Sequence, residues 1–188
     1  MKVKQFVMAY GAEQDRLRAL LPEGFSSLRP VLRINAEIRE GKGTYLELNT
    51  PVEHDGRRGW LNIANWQDVA FSENGPAVTF SLPALTITYT GTGRQGGCPA
   101  EKDNEGCFYP DRWQPAEIIT SNKEYCDCRF AWHFSPESAA GESTGVTLPA
   151  FFEEPKNHYP KQVLSAENAA AIPCIQVLGS YRVEFCRE

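Results

Sequence analysis

A glutamate set among polar residues on a predicted strand is the first candidate for chemistry in this chain. Glu47 alternates with Tyr45 and Asn49, while Leu46 and Leu48 take the other face of the same strand. A carboxylate turned into a cavity from such a strand can act as a general acid/base, or as a proton shuttle for a carbonyl ligand. The alternative is a strand glutamate that faces solvent.

Glu47 belongs to the first strand of a predicted hairpin. Residues 45–52 and 60–66 form the two strands, and Asp55 with Gly56 supplies the turn. The alternation puts Leu61 and Ile63 on one face of the return strand and, on the other, Trp60, Asn62, Ala64 and Trp66. Since neither face is wholly apolar or wholly polar, the hairpin suits a sheet that lines a cavity. Tyr45, Asn62 and Trp60 are therefore the predicted substrate-binding residues.

An amine for covalent chemistry would have to come from an isolated lysine. Lys123, at the start of a predicted strand, is the preferred candidate because a strand end holds its geometry better than a loop. Lys102 lies in a loop between Glu101 and Asp103. Neighbouring carboxylates raise the pKa of a lysine, so an exposed, ion-paired amine is the competing interpretation of both residues.

The six cysteines allow a metal site without requiring one. Four thiols, of Cys98, Cys107, Cys126 and Cys128, are a candidate cluster for zinc or another soft metal. Their spacing lacks the paired C-x-x-C pattern, so buried thiols are the preferred interpretation, and a Cys98–Cys107 disulfide is a lesser alternative. No cofactor is predicted.

A glycine-rich segment at residues 91–97 surrounds Arg94, which is a candidate for binding a ligand carboxylate. Without the lysine of a phosphate-binding loop, or a following helix, such a segment is more often a turn or bulge.

The elements that position these residues are mostly strands. The pattern predicts strands at 3–10, 30–39, 69–81, 82–92, 124–134 and 174–186, with a short helix around Leu17 and Leu20 and an alanine-rich stretch before the last strand. Residues 91–113 are predicted to be a long loop. Many short consecutive strands indicate an α+β domain, mostly antiparallel β, built as a barrel or sandwich over residues 1–188.

Composition excludes several classes of function. Charged residues make up 23% of the 188 and hydrophobic ones 41%, which is ordinary for a globular protein. A formal charge of −5 without a basic run argues against nucleic-acid binding, and no segment is long and apolar enough for a membrane span. Residues 1–15 lack the apolar core of a secretion signal, so a cytoplasmic location is expected.

Three segments together resemble the acetoacetate decarboxylase superfamily. They are the run Asp15 to Phe25 (D-x-L-R-x-L-L-P-E-G-F), the hairpin with its Tyr45-x-Glu47 and Gly56-x-x-Gly59, and the closing stretch at 171–185. The resemblance implies a cone-shaped β-barrel with one or two short helices around a small-molecule pocket. It also implies that Glu47 occupies the position of the family's pocket glutamate.

In that family the decarboxylases form a Schiff base between a β-keto acid and a lysine whose pKa is lowered by a second, adjacent lysine. This chain has no Lys-Lys pair. The resemblance thus implies a keto acid or related carboxylate as ligand, and lyase chemistry with Glu47 as acid/base and Lys123 as the amine. The alternatives are a non-catalytic ligand-binding barrel and a cysteine-ligated metal protein. A homo-oligomer is left open.

Overall fold

The computed structural model describes residues 1–91, 93, 105–117, 122–125, 128–134, 140–141 and 159–187, with 122–125, 128–129 and 140–141 described by their backbone. The helices are α1, Gln14–Leu20, and α2, Ala166–Ala170. The strands are β1 Lys2–Gly11, β2 Ser26–Ser27, β3 Val31–Arg39, β4 Gly43–His54, β5 Arg57–Gln67, β6 Ala70–Asn74, β7 Ala77–Ser81, β8 Leu85–Gly91, β9 Gly106–Tyr109, β10 Arg112–Pro115, β11 Asn122–Tyr125, β12 Cys128–Phe134, β13 Ala140–Gly141 and β14 Gln176–Cys186.

The strands form two sheets. A nine-stranded sheet has the order β10-β9-β5-β4-β3-β1-β14-β11, with β2 paired to β4, and a five-stranded sheet has the order β13-β12-β8-β7-β6. All pairs are antiparallel except β5 with β9. The mostly antiparallel α+β fold is thus confirmed. Within the described ranges neither sheet closes on itself, so the cone-shaped barrel stays a prediction.

Two parts of the pattern were predicted wrongly. The predicted loop at 91–113 contains β9, which pairs with β5 through only two positions, Trp60 with Cys107 and Leu61 with Phe108. So short a strand carries no recognisable period. The single strand predicted at 124–134 is two strands, because β11 pairs with β14 in one sheet and β12 with β8 in the other. Alternation along a chain cannot reveal that the chain changes sheets.

The two faces of the nine-stranded sheet differ in chemistry. One face packs against the five-stranded sheet and both helices, forming a large apolar core from buried side chains that include Phe6, Leu32, Leu46, Phe80 and Ile172. The opposite face, in β3, β4 and β5, carries buried polar and charged side chains instead: Arg33, Asn35, Glu37, Glu47, Asn49 and Asn62. Charged side chains are seldom buried without partners, so this face is the one to search for a site.

The hairpin of β4 and β5 is confirmed, with one correction to its faces. Asp55 and Gly56 both have positive φ, 49° and 73°, as a tight two-residue turn requires. Leu48 pairs with Ala64 but Asn49 pairs with Asn62, so Ile63 is an extra residue in β5. This bulge moves Ala64, opposite Leu48, and Trp66, opposite Leu46, to the core face. Trp66 therefore does not share the face of Trp60 and Asn62, as simple alternation predicted.

Of the two helices in the described part of the chain, neither has the length and apolarity that crossing a bilayer needs. The predicted cytoplasmic location stays a prediction.

Close approach of β9 to β5 depends on two glycines. A Cβ on Gly59 would lie 2.3 Å from the carbonyl oxygen of Gly106, and a Cβ on Gly106 would lie 2.7 Å from the Trp113 ring. Contacts this short force a strand to shift. The pair therefore lets β9 join the sheet beside the strand that carries Trp60.

We predict that Gly59→Ala destabilises the protein by about 1–3 kcal/mol, because the added methyl group pushes β9 away from β5. Urea denaturation measures the change. Gly179→Ala is the matched control, since Gly179 is also in a strand but has open space around its Cβ position; a change within about 0.5 kcal/mol is expected there. Equal effects from the two substitutions would contradict the close-approach argument.

Candidate functional site

The Glu47 carboxylate is buried and accepts four hydrogen bonds. Its Oε1 accepts from the side-chain amides of Asn35 and Asn49, each at 3.0 Å. Its Oε2 accepts from the Tyr45 hydroxyl at 2.7 Å and from the Asn62 amide at 3.2 Å. The side chain is only 4% exposed. Four neutral donors replace the water that burial removes from the charge.

Strand geometry explains why these donors converge. Tyr45, Glu47 and Asn49 are alternate residues of β4 and therefore share a face. Asn35 is the direct cross-strand partner of Glu47 on β3, and Asn62 on β5 is the partner of Asn49. Three adjacent strands thus each present a polar side chain to the same carboxylate.

The occupied lone pairs suit an ionised carboxylate. A carboxylate accepts at about four sites, and here each oxygen accepts two hydrogen bonds from donors that carry no charge. Among the described residues, the Arg33 guanidinium is a nearby cation, with Nη2 3.9 Å from Oε1. To take a proton, Glu47 has to reverse or replace one of its four hydrogen bonds.

Two tyrosines connect this carboxylate to the half-buried rim of the site. Burial, reinforced by the charge of Glu47, raises the pKa of Tyr45 well above its ordinary value of 10.0. Tyr109 on β9 lies within hydrogen-bonding reach of the Tyr45 phenol, and burial likewise raises the pKa of Tyr109. Both phenols therefore stay protonated across the ordinary pH range and serve as hydrogen-bond donors.

Trp60 and Arg33 form the neighbouring part of the polar face. The Arg33 guanidinium lies over the Trp60 ring, 3.6 Å from its centroid, and Arg33 Nε donates to Asn49 Oδ1 at 2.8 Å. Two buried polar atoms in this area have no hydrogen-bond partner among the described residues, Trp60 Nε1 and Asn35 Oδ1. One is a donor and the other an acceptor, so the face has unused capacity of both kinds.

A second buried carboxylate, Glu37, lies on the same face but is held by cations. Arg187 donates to both its oxygens, at 2.9 and 3.0 Å, and Arg39 Nε donates at 2.7 Å. Burial opposes the charge, but the hydrogen bonds and charges of Arg187 and Arg39 outweigh it and lower the pKa of Glu37 below 4.5. The Arg39 guanidinium also lies over the Tyr45 ring, 4.3 Å from its centroid, and so joins the two carboxylate clusters.

Four predicted site residues, Glu47, Tyr45, Asn62 and Trp60, lie on this face, and the first three are joined by hydrogen bonds. Four residues that complete the cluster were not predicted from the sequence as site residues: Arg33, Asn35, Asn49 and Tyr109. Arg33 and Asn35 alternate along β3, and an antiparallel pairing of β3 with β4 would have placed them opposite Asn49 and Glu47. The register between β3 and β4 is the information that the sequence did not supply.

Lys123 is not adjacent to Glu47 in the sheet. It lies in β11 opposite Glu184, and β14, β1 and β3 separate β11 from β4. Counted through the paired residues, position 123 falls on the face opposite to that of position 47. This placement does not test the predicted role of Lys123 as an imine-forming amine, but it keeps Lys123 away from Glu47.

Of the remaining predicted site residues, the structure describes only some. Arg94, Cys98 and Cys126 lie outside the described residues, and Cys128 is described by its backbone in β12. Cys107 lies in β9. Its partner in the alternative Cys98–Cys107 disulfide lies outside the described residues, so that alternative stays open. Among the described residues no group of three His, Cys, Asp or Glu side chains is placed to hold a metal ion. The four-cysteine site stays a prediction.

A separate cleft opens between the two sheets. It is lined by Pro76, Tyr89, Gly91, Gly93 and Arg182. Arg182 pairs with Phe6, a residue of the apolar core, so the cleft lies on the other side of the sheet from Glu47.

Solved structures with a similar fold include an acetoacetate decarboxylase and related enzymes. Acetoacetate decarboxylase from Legionella pneumophila matches 98% of this chain and 82% of its own, with a TM-score of 0.63 and 14% identity. An acetoacetate decarboxylase-like enzyme from Sphingomonas wittichii has a TM-score of 0.53 and 12% identity over 98% of this chain and 88% of its own. The enduracididine biosynthesis enzyme MppR, complexed with pyruvate, gives 0.53 and 12% over 98% and 84%.

The sequence itself matches no protein-family profile and no curated protein. At identities of 12–14% the structural matches show a shared fold. They confirm the acetoacetate decarboxylase-like fold that the three sequence segments predicted, and they leave the chemistry of the site to be argued from its own residues.

We predict that Glu37→Gln destabilises the protein by about 3–5 kcal/mol at neutral pH, because it leaves Arg187 and Arg39 without their buried anion. Since the folded-state pKa of Glu37 is lowered, its stabilising effect is present above pH 4.5 and is lost as the pH falls through the folded-state pKa. Urea denaturation as a function of pH should therefore give a shallower acid slope for the variant.

Glu73→Gln is the control for this comparison, because the Lys4–Glu73 pair is about half exposed. It should change stability by less than about 1 kcal/mol. If Glu37→Gln loses stability with falling pH as steeply as the wild type, then Arg187 and Arg39 do not stabilise a charge on Glu37.

Proposed function

We propose that this protein binds a small carbonyl or carboxylate compound on the polar face around Glu47, and that Glu47 exchanges a proton with the ligand. Trp60, Asn62 and Tyr45 line this site, and Arg94 is the proposed partner for a ligand carboxylate. The proposal includes the cone-shaped barrel, whose wall would enclose the polar face and exclude water from it.

One observation carries the proposal: the polar face holds a buried donor and a buried acceptor with no partner among the described residues. Trp60 Nε1 and Asn35 Oδ1 belong to side chains that are only 3% and 6% exposed. An unsatisfied buried polar group costs about 1–3 kcal/mol, so a folded protein keeps one where a ligand or an ordered water completes it. Here two such groups flank a carboxylate and a guanidinium.

The types of these groups limit the ligand. Trp60 Nε1 requires an acceptor, which a carbonyl or carboxylate oxygen supplies, and Asn35 Oδ1 requires a donor, which an enol, hydroxyl or amine supplies. The Arg33 guanidinium beside Trp60 favours a negatively charged or strongly dipolar ligand. A keto acid has the acceptors from the start and gains the hydroxyl donor when it enolises.

The shared fold adds support of a weaker kind. One structural neighbour, MppR, has been solved with pyruvate. Because one fold hosts many reactions, this neighbour suggests a first compound to test and does not carry the assignment.

A second candidate is a binding protein without catalysis. It is favoured by the saturation of Glu47, whose four acceptor sites are all used by residues of the chain itself. It is also favoured by the absence of a Lys-Lys pair from the sequence. In this case Glu47 orients the three asparagines, and the ligand completes Asn35 Oδ1 and Trp60 Nε1.

We predict that Trp60→Phe weakens pyruvate binding about tenfold, because phenylalanine keeps a ring under Arg33 but has no N–H to donate. Isothermal titration calorimetry with pyruvate gives the dissociation constants of the wild type and both variants. Trp66→Phe is the matched control, since Trp66 packs on the core face of the same strand. Unchanged affinity in Trp60→Phe, or equal losses in both variants, would contradict the proposed site.

A separate experiment tests whether Lys123 forms an imine with a keto acid. Because position 123 lies on the other face of the sheet, we expect borohydride treatment with acetoacetate or pyruvate to leave Lys123 without an adduct. Mass spectrometry of the digested protein detects any trapped imine. A borohydride-dependent adduct on Lys123 that disappears in Lys123→Arg would overturn this expectation and establish Schiff-base chemistry.

A further inference from the structure

The four donors around Glu47 are not equivalent. Asn35, Asn49 and Asn62 each turn the amide nitrogen towards Glu47, and an amide nitrogen only donates. A hydroxyl both donates and accepts. The Tyr45 hydroxyl, 2.7 Å from Oε2, is therefore the one of these four groups that can accept a hydrogen bond from a protonated Glu47 without turning its side chain over.

The position of a proton on Glu47 follows from this difference. Oε1 accepts from two amides, so a proton there would displace a buried N–H at a cost of about 1–3 kcal/mol. On Oε2 the new O–H can point at Tyr45, whose own hydroxyl hydrogen turns away to a different acceptor. The carboxyl then keeps all four contacts. Proton exchange at Oε2 through Tyr45 is the path that leaves no buried group unsatisfied.

Tyr109 supplies the next acceptor. Tyr109 follows Phe108, the partner of Leu61, and so lies beside Asn62, whose amide donates to the same Oε2 as Tyr45. The Tyr109 phenol interacts with that of Tyr45. Its ring is half-buried under the exposed Arg112 guanidinium, which lies 4.8 Å from the ring centroid. The β5–β9 pairing brings it there, because Tyr109 continues the strand that runs beside Trp60 and Leu61. Tyr109 thus connects the buried phenol to the solvent-accessible rim.

We propose that Tyr45 and Tyr109 form a proton relay that carries protons between Glu47 and solvent. In the inward direction a hydronium ion gives a proton to the Tyr109 oxygen and leaves water. Tyr109 passes its own hydroxyl proton to the Tyr45 oxygen, and Tyr45 passes its proton to Glu47 Oε2. Each phenol breaks one O–H bond and forms another, so both end neutral and nothing is oxidised or reduced.

Other charged or titratable groups near the relay come from each neighbouring strand. β5 contributes the neutral amides of Asn62 and Asn65, and the titratable or charged side chains are Arg33, Glu37 and Arg39 of β3 and Cys107 of β9. Arg33 and Arg39 keep their charge throughout, so they set the field without moving protons. The raised pKa values of both tyrosines make a concerted transfer, without a phenolate intermediate, the consistent route.

The relay rests on the proposed function only in giving Glu47 a proton to exchange, and it is tested without ligand. Protein labelled with ¹³C at the glutamate carboxyl carbons is titrated downward in pH and followed by NMR, with Glu47→Gln assigning the resonance. Wild-type Glu47 should give one averaged resonance, because exchange through the relay is fast.

Tyr109→Phe should keep a similar titration midpoint but give separate protonated and ionised resonances, since proton exchange slows about 10²-fold or more. Tyr159→Phe is the control, because Tyr159 also donates to a carboxylate, that of Glu13, at 2.8 Å. It should leave the Glu47 resonance unchanged.

Two results would overturn the relay: fast averaging that persists in Tyr109→Phe, or a wild-type Glu47 that takes no proton before acid unfolding. Pyruvate binding is measured on the same samples. If the NMR test contradicts the relay but pyruvate binding still depends on Trp60, the proposed binding site stands without the relay. If the relay is observed but pyruvate does not bind, the relay stands and the proposed binding site is wrong.

Discussion

Burying the charge of Glu47 is the constraint on which the polar face of this protein depends. A carboxylate taken out of water needs about four hydrogen bonds in return, and the chain supplies them from three strands. Asn35, Tyr45, Asn49 and Asn62 must therefore hold fixed positions relative to one another. The bulge at Ile63 is part of this arrangement, because it keeps Asn62 opposite Asn49 while placing Trp66 on the core face.

Glu37 shows how different a second carboxylate on the same face can be. It is bound by Arg187 and Arg39, and its charge is held by opposite charges rather than by neutral donors. The Arg187 backbone also pairs with Met1, so this ion cluster fastens the two ends of the described chain next to the site. Two carboxylates in contrasting environments are a common way to separate a structural role from a proton-transfer role. In this protein the surroundings of Glu37 fit the structural role.

The sequence was sufficient for the hairpin, for Glu47 with Tyr45, Trp60 and Asn62, and for the fold that the structural matches confirm. Each of these depends on alternation within a strand or on turn residues, which are local signals. Asn35 and Arg33 were missed because their role depends on the register between β3 and β4, which alternation does not give. Tyr109 was missed because β9 is only four residues long and joins the sheet in parallel.

We propose that the ligand binds at the polar face and not in the cleft between the sheets. A crystal structure of the protein with pyruvate tests this most directly. We predict pyruvate on the Glu47 face, with a carboxylate or carbonyl oxygen within hydrogen-bond distance of Trp60 Nε1. Pyruvate lying instead against Tyr89 and Arg182, with only ordered water at Trp60 Nε1 and Asn35 Oδ1, would contradict it.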